Sequence, residues 1–101
     1  MSQYPTSKSF SDHLHTTFYL AQPPERAPLE LIEVTERNDS PDLEQFSLIF
    51  RATMTPVFPQ RTYHLEHETL GSMDLFLVPI GPDETGMRYQ AVFNRFRNTE
   101  V

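Results

Sequence analysis

The four histidines are the side chains in this chain with the widest chemical range. His13 and His15 are two residues apart and follow Asp12, so an extended backbone would point both imidazoles the same way, as a two-histidine metal site requires. A third ligand would then come from His64 or His67. The same residues are also typical of a polar junction between a helix and a strand, and no CxxC or HExxH motif supports a metal site. We therefore predict no metal and no other cofactor, and no stoichiometric zinc in the purified protein.

A second cluster lies on one face of a later segment, where His64, Glu66 and Glu68 stand at alternate positions. A histidine beside two carboxylates can act as a general acid or base, but the solvent-facing side of an amphipathic strand has the same pattern. No nucleophile stands at a spacing that would complete a catalytic set, so we predict no catalytic residues. His67 falls on the opposite face and is predicted to be a half-buried histidine beside the following turn.

Residues 81–86 contain two glycines and two acidic residues. Their order does not match a phosphate-binding loop, and the alternate oxygen ligands of a calcium loop are missing. This segment is therefore predicted to be a hairpin loop.

The C-terminal stretch interleaves arginines with aromatic residues, as strands that bind nucleic acid do. Its members are Arg88, Tyr89, Phe93, Arg95, Phe96 and Arg97. The chain as a whole carries a net charge of -6, which repels both a nucleic-acid backbone and an anionic membrane. We therefore expect neither of these as a partner, and predict a protein partner or a homo-oligomer.

The composition is that of one folded domain. The chain has 101 residues, of which 38% are apolar, and this is enough for a single core without disulfide bonds. We predict one domain over residues 1–101, with residues 1–8 and 97–101 as flexible ends. The lack of cysteine fits a reducing compartment, and the polar start of the chain does not resemble a signal peptide. A cytoplasmic location is therefore expected.

Proline, glycine, asparagine and aspartate divide the chain into short segments. The predicted turns cover residues 22–28, 37–44, 55–61, 69–72 and 81–86. Between them lie six segments rich in β-branched and aromatic residues, which are predicted strands: 16–21, 29–36, 45–52, 62–68, 72–80 and 87–94. Because the gaps are too short for parallel crossovers, the predicted fold is all-β, a six-stranded antiparallel barrel or two-layer sandwich.

The fifth predicted strand is apolar on both faces, whereas the third, fourth and sixth alternate between apolar and polar residues. Leu75 and Leu77 share one face. The other face carries Phe76, Val78 and Ile80. Such a strand is covered twice or forms an interface. Pro79 cannot donate to a ladder, which predicts an edge or a bulge at that end.

An aromatic residue stands just before the second of two closely spaced prolines in the 55–61 loop. Phe58 either folds over one end of the barrel as a lid or forms a stiff, exposed anchor for a partner. Together with one face of the fifth strand it gives the candidate interaction residues, which are Phe58, Phe76, Val78 and Ile80.

One short N-terminal helix is predicted from a capping-box pattern, with Ser9 as the N-cap and Asp12 as the third helical residue. Phe10 and Leu14 are four residues apart and would share its buried face. This helix is expected to plug one end of the barrel or sandwich.

Several runs of the chain resemble a family of short bacterial proteins of about this length that is described as a domain of unknown function. The runs that carry the resemblance are 46–50, 59–67, 70–71, 76–83 and 86–94, with a further match over residues 10–18. The family pattern has glycine where His15 and Arg61 stand, and proline where Glu68 stands. The resemblance implies no activity and no catalytic residues, but it implies an association with phage-tail-like collar or fibre proteins.

Two classes of function remain open. The preferred one is a non-enzymatic structural or protein-interaction domain, an accessory of a phage-tail-like assembly, because the fifth strand and the Phe58 loop favour contacts. The alternative is a small ligand-binding or histidine-using enzyme barrel. A bound metal, or a deep polar pocket that holds His13, His15 and His64 together, would favour that alternative.

Overall fold

The computed structural model describes residues 5–22, 25–37 and 42–96, which form one antiparallel six-stranded sheet preceded by one short helix. The elements are α1 (Ser7–Ser11), β1 (Thr17–Gln22), β2 (Glu25–Arg37), β3 (Leu43–Ala52), β4 (Arg61–His67), β5 (Gly71–Pro82) and β6 (Met87–Phe96). The predicted all-β class is confirmed, and each predicted strand overlaps an observed one. None of the helical structure in the described residues is long and apolar enough to cross a membrane.

The sheet consists of two three-stranded meanders, β1-β2-β3 and β4-β5-β6, which meet where β3 pairs with β6. That ladder runs along the whole of β3. On the far side β1 returns to β4, but it pairs there only through Tyr19 and Leu20. The hydrogen-bonded order β1-β2-β3-β6-β5-β4 therefore closes into a barrel through a short seam.

The core is built from alternate side chains of the strands, as the period-two pattern predicts. The inward members of the last four strands are Phe46, Leu48, Phe50 and Ala52 on β3, Tyr63 and Leu65 on β4, Leu75 and Leu77 on β5, and Tyr89 and Ala91 on β6. Burial of each large apolar side chain contributes roughly 1.5–3 kcal/mol. This row of large side chains explains how a short chain without cysteine holds a barrel together.

The helix begins three residues earlier than predicted. Thr6 is the N-cap, and its hydroxyl accepts a hydrogen bond from the Ser9 backbone N–H at 3.1 Å. Asp12 is the C-terminal cap, so the predicted capping box of Ser9 and Asp12 is wrong. The Phe10 ring lies within 6.2 Å of the rings of Phe18, Phe46 and Phe93. The helix therefore plugs one end of the barrel, as expected.

Strand β2 is longer than predicted, because residues 25–28 belong to the strand and not to a turn. Pro28 stands opposite Tyr19 of β1. The pairing of β2 with β3 begins only at Glu30, so Pro28 has a hydrogen-bonded neighbour on one side only. A strand tolerates proline where no N–H is needed for a second ladder, and this is why the proline does not end the strand.

Two further backbone features are a bulge in β5 and a residue in the left-handed conformation before β1. The register of β5 against β6 shifts between Pro79 and Gly81, so a bulge follows Pro79 as predicted. His15 has a φ of 66°, a left-handed conformation that glycine adopts without strain.

Candidate functional site: an open slot in the barrel wall

The pairing between β5 and β6 is incomplete. It runs from Pro82–Met87 to Val78–Gln90 and stops there. A continued register would pair residues 74–77 with residues 91–94, yet among the described residues no such pairs form. Instead a groove of about 380 Å³ lies between these two stretches. We call this groove the β5–β6 slot.

The slot has a buried floor and an exposed apolar rim. Leu75 and Ala91 line it and are also part of the core, with exposed fractions of 4% and 2%. Phe76 and Val92 also line it, but they are 50% and 68% exposed. The remaining lining residues are Thr62, Asp74, Phe93 and Asn94. The slot therefore connects an exposed apolar rim on the outer surface to the wall of the core.

The outer face of β5 extends this apolar rim. Phe76 and Ile80 are exposed and Val78 is partly exposed, whereas Leu75 and Leu77 point into the core. Three of the four predicted interaction residues thus lie on one outward-facing row. Val92 was not among them, although the alternation of β6 around the inward residues Ala91 and Phe93 already indicates that Val92 faces outward.

Phe58 does not belong to this surface. Its ring contacts Tyr63 and Tyr89, with centroid distances of 6.1 and 5.9 Å. Its backbone N–H donates to the Tyr89 hydroxyl at 2.9 Å, and the Tyr63 hydroxyl donates to the Pro59 carbonyl at 2.6 Å. Burial raises the pKa of Tyr63. Phe58 therefore acts as the lid of the two alternatives, while Val57 beside it is 49% exposed.

His67 is a buried and fully hydrogen-bonded histidine. Its Nδ1 accepts from the backbone N–H groups of Thr69 and Leu70 at 3.0 and 3.1 Å. The ring proton consequently sits on Nε2, which donates to Thr16 Oγ1 at 2.9 Å. Burial, together with the nearby His13, lowers the pKa of His67. Both ring nitrogens are therefore committed to holding the fold.

The other three histidines are dispersed. His13 lies edge-on to His67, with ring centroids 5.1 Å apart, and its Nδ1 is bonded to the Ser9 carbonyl. His15 pairs with Glu30 at 3.0 Å, and on the outer surface His64 pairs with Asp74 at 2.7 Å. His13, His15 and His64 thus each bind a different partner, so a shared polar pocket, which would favour the enzyme alternative, has no support from these contacts. Within residues 5–22, 25–37 and 42–96, no group of three or more histidine, aspartate or glutamate side chains could hold a metal ion.

The loop after β5 is a hairpin loop held by one carboxylate. Asp83 Oδ1 accepts from the backbone N–H groups of Thr85 and Gly86, and Oδ2 accepts from Arg51 Nη2 at 2.7 Å. The Arg51 guanidinium and the Thr85 N–H hold the pKa of Asp83 well below its usual range. These bonds occupy the carboxylate and fix the loop at the paired end of β5 and β6, next to Arg51 of β3.

The family model described as Domain of unknown function (DUF6916) matches residues 5–93. The chain belongs to this family. Neither the curated proteins nor the solved structures include a significant match to it. The DUF6916 match spans every element from α1 to most of β6, so the apolar rim and all of the described slot lining except Asn94 lie within the matched residues.

Proposed function

We propose that this DUF6916 domain is a non-enzymatic protein-interaction domain that binds its partner through the outer face of β5 and the rim of the β5–β6 slot. The observation that carries the proposal is the exposure of Phe76 and Val92 on the rim of one groove, at an incomplete strand pairing. Large apolar side chains beside an unpaired strand edge are unfavourable in water and become favourable when a partner covers them.

The chemistry of the remaining candidates supports contact over catalysis. His67 uses both ring nitrogens in structural hydrogen bonds, and the pair of His64 and Asp74 is exposed on the surface. A general base is useful when it is poised next to a reacting group in a site that excludes water. These histidines do not have that setting, so the enzyme alternative has less support.

The proposal extends to the setting in which the domain works. The resemblance to short bacterial proteins near phage-tail-like collar and fibre proteins supports an accessory role in a bacterial tail-like assembly. The net charge of -6 and the lack of cysteine support a protein partner in the cytoplasm, and oppose nucleic acid or a membrane. The partner is another protein of that assembly or a further copy of the chain.

The test compares charged substitutions at matched positions. Phe76→Glu and Val92→Glu place a charge on the slot rim, whereas Val57→Glu places one on a similarly exposed valine in the 53–60 loop. Because all three side chains are about half exposed or more, each variant should stay folded, within about 1 kcal/mol of the wild type. Thermal unfolding checks this point.

Association is then measured by sedimentation of the purified protein and by recovery of partners from the source cell with mass spectrometry. Phe76→Glu and Val92→Glu should weaken association about tenfold or more, as loss of a central apolar contact does. Val57→Glu should leave it unchanged. Loss of association in Val57→Glu alone would place the contact surface on the loop and refute the proposal.

A further inference from the structure

We propose that the β5–β6 slot binds an extended polypeptide segment of a partner protein, which enters the barrel wall as an additional strand. This inference rests on the proposed function and specifies how the contact is made. Its main support is the backbone of the slot. Among residues 5–22, 25–37 and 42–96, strand β5 pairs with β4 over residues 74–77 and strand β6 pairs with β3 over residues 91–94, and no ladder joins these two stretches to each other.

Each wall of the slot is therefore a strand edge. At an edge, every second residue directs its N–H and C=O away from the existing neighbour, and these groups are matched by the main chain of another extended segment. Four residues on each wall allow a segment of about four residues to pair on both sides, over roughly 13 Å. Since β5 and β6 are antiparallel, the segment runs antiparallel to one wall and parallel to the other.

The described strands of a second folded copy do not fit this slot. Every strand in the described part of the chain already lies in its own barrel and has a partner there. Such a strand would have to leave its barrel, and its inward side chains the core, before it could enter another molecule's slot. A flexible segment of a different protein has no such cost, and peptide binding by strand addition is driven by main-chain hydrogen bonds.

The side chains around the slot define the segment that fits. Inward side chains of the segment would meet Leu75 and Ala91, which favours small or aliphatic residues. Outward side chains would lie between Phe76 and Val92, which favours further apolar residues. The charged group of the lining is the carboxylate of Asp74, which is 60% exposed. The net charge of the chain is -6. A lysine or arginine of the segment near Asp74 would therefore complement both this carboxylate and the overall negative charge of the chain.

The experiment uses the full chain and a library of random linear dodecapeptides displayed on phage, counter-selected against Val92→Glu. Selected peptides are synthesised, and their affinity is measured by fluorescence polarisation. Amide hydrogen exchange followed by NMR then maps the bound site. We expect the selected peptides to contain alternating apolar residues and a basic residue. Bound peptide should slow the exchange of slot-facing amides in 74–77 and 91–94 at least tenfold. Replacing a central residue of the peptide by proline should lower its affinity tenfold.

The protein variants give the matched controls. Phe76→Glu should weaken peptide binding at least tenfold, Val57→Glu should leave it unchanged, and Asp74→Asn should weaken binding of the basic peptides several-fold and reduce its salt dependence. Peptides that bind without slowing exchange in the slot, that tolerate central proline, or that map elsewhere overturn strand addition, as does a library that gives no binder. If Phe76→Glu still abolishes recovery of the cellular partner in these cases, the proposed function stands without this mechanism. If neither rim variant affects recovery, the proposed function fails as well.

Discussion

At the scale of single residues, His67 shows how a buried titratable group is held in its neutral form. Two backbone N–H groups donate to Nδ1 and the Nε2 proton goes to Thr16, so a second ring proton would displace an existing hydrogen bond. The side chain is only 6% exposed. This burial is the main cause that lowers the pKa of His67 from its ordinary value of 6.5, and the nearby His13 lowers it further.

This arrangement predicts a pH-dependent stability. In the unfolded chain the histidine takes up a proton as the pH falls through about 6.5, whereas folded His67 does so only at lower pH. The unfolded state then binds more protons, so the free energy of unfolding is greatest above pH 6.5 and decreases below it. Urea unfolding of the wild type and of His67→Asn between pH 8 and pH 5 measures this contribution.

His67→Asn retains an acceptor for the turn but does not titrate. At pH 8 it should be less stable by about 2 kcal/mol, because ring packing and one hydrogen bond are lost. The difference in the free energy of unfolding between this variant and the wild type should decrease towards pH 5. If this difference is the same at pH 8 and pH 5, His67 does not contribute to the pH dependence of stability.

At the scale of elements, the short helix provides the clearest test of a cap. Replacing Thr6 by alanine removes the hydroxyl that accepts the Ser9 N–H, and should cost about 1 kcal/mol. Ser9→Ala leaves this bond in place and should cost less than half as much. Chemical denaturation of both variants compares them, and a larger effect at Ser9 would restore the capping box that the sequence suggests.

The position of the helix also shows where local patterns fail. Thr6 and Ser9 are both acceptable caps, and local preferences do not separate them. The choice is made by Phe10, whose ring packs among three other aromatic rings at the end of the barrel. In the same way, the residue type of Pro28 indicates a turn, but the sheet pairs this part of β2 with β1 only, so a proline is tolerated in the strand. Both errors arise because tertiary contacts override local preference.

At the scale of the whole molecule, segments rich in β-branched and aromatic residues predicted the strands, and the short gaps predicted the antiparallel class. Alternation predicted the inward faces of the third, fourth and sixth strands but not that of the fifth, which is apolar on both faces. The closure of the barrel was not predictable in this way. The pairing of β3 with β6 joins strands that are distant in sequence, and the end of the β5–β6 pairing at Val78 follows from how the two meanders meet. Neither feature is encoded in the type of any single turn.

Because the ladders between neighbouring strands differ in length, we expect the strands to differ in local stability. The β4–β5 hairpin is joined to β6 from Val78 onwards only, and to β1 through Leu65 and Glu66, whereas β3 is paired along its whole length with β6. An isolated hairpin is marginally stable, so this unit should open first. Native-state amide exchange should give β4 and β5 at least tenfold faster exchange than β3, which corresponds to about 1.4 kcal/mol. Faster exchange in β3 than in β4 would contradict this order of opening.

The two short ladders, β1 with β4 and β5 with β6, have a consequence for two copies of the chain at high concentration. The β4–β5 hairpin follows the 53–60 loop, and its inward side chains include Tyr63, Leu65, Leu75 and Leu77. When this hairpin detaches as a unit, the gap that it leaves in one molecule matches the hairpin released by another. Because β6 follows residues 83–86 and stays paired with β3, mutual exchange requires both the 53–60 loop and the 83–86 loop to open as hinges. The architecture thus contains a route to a domain-swapped dimer that rebuilds the barrel but gives up the turn held by Asp83.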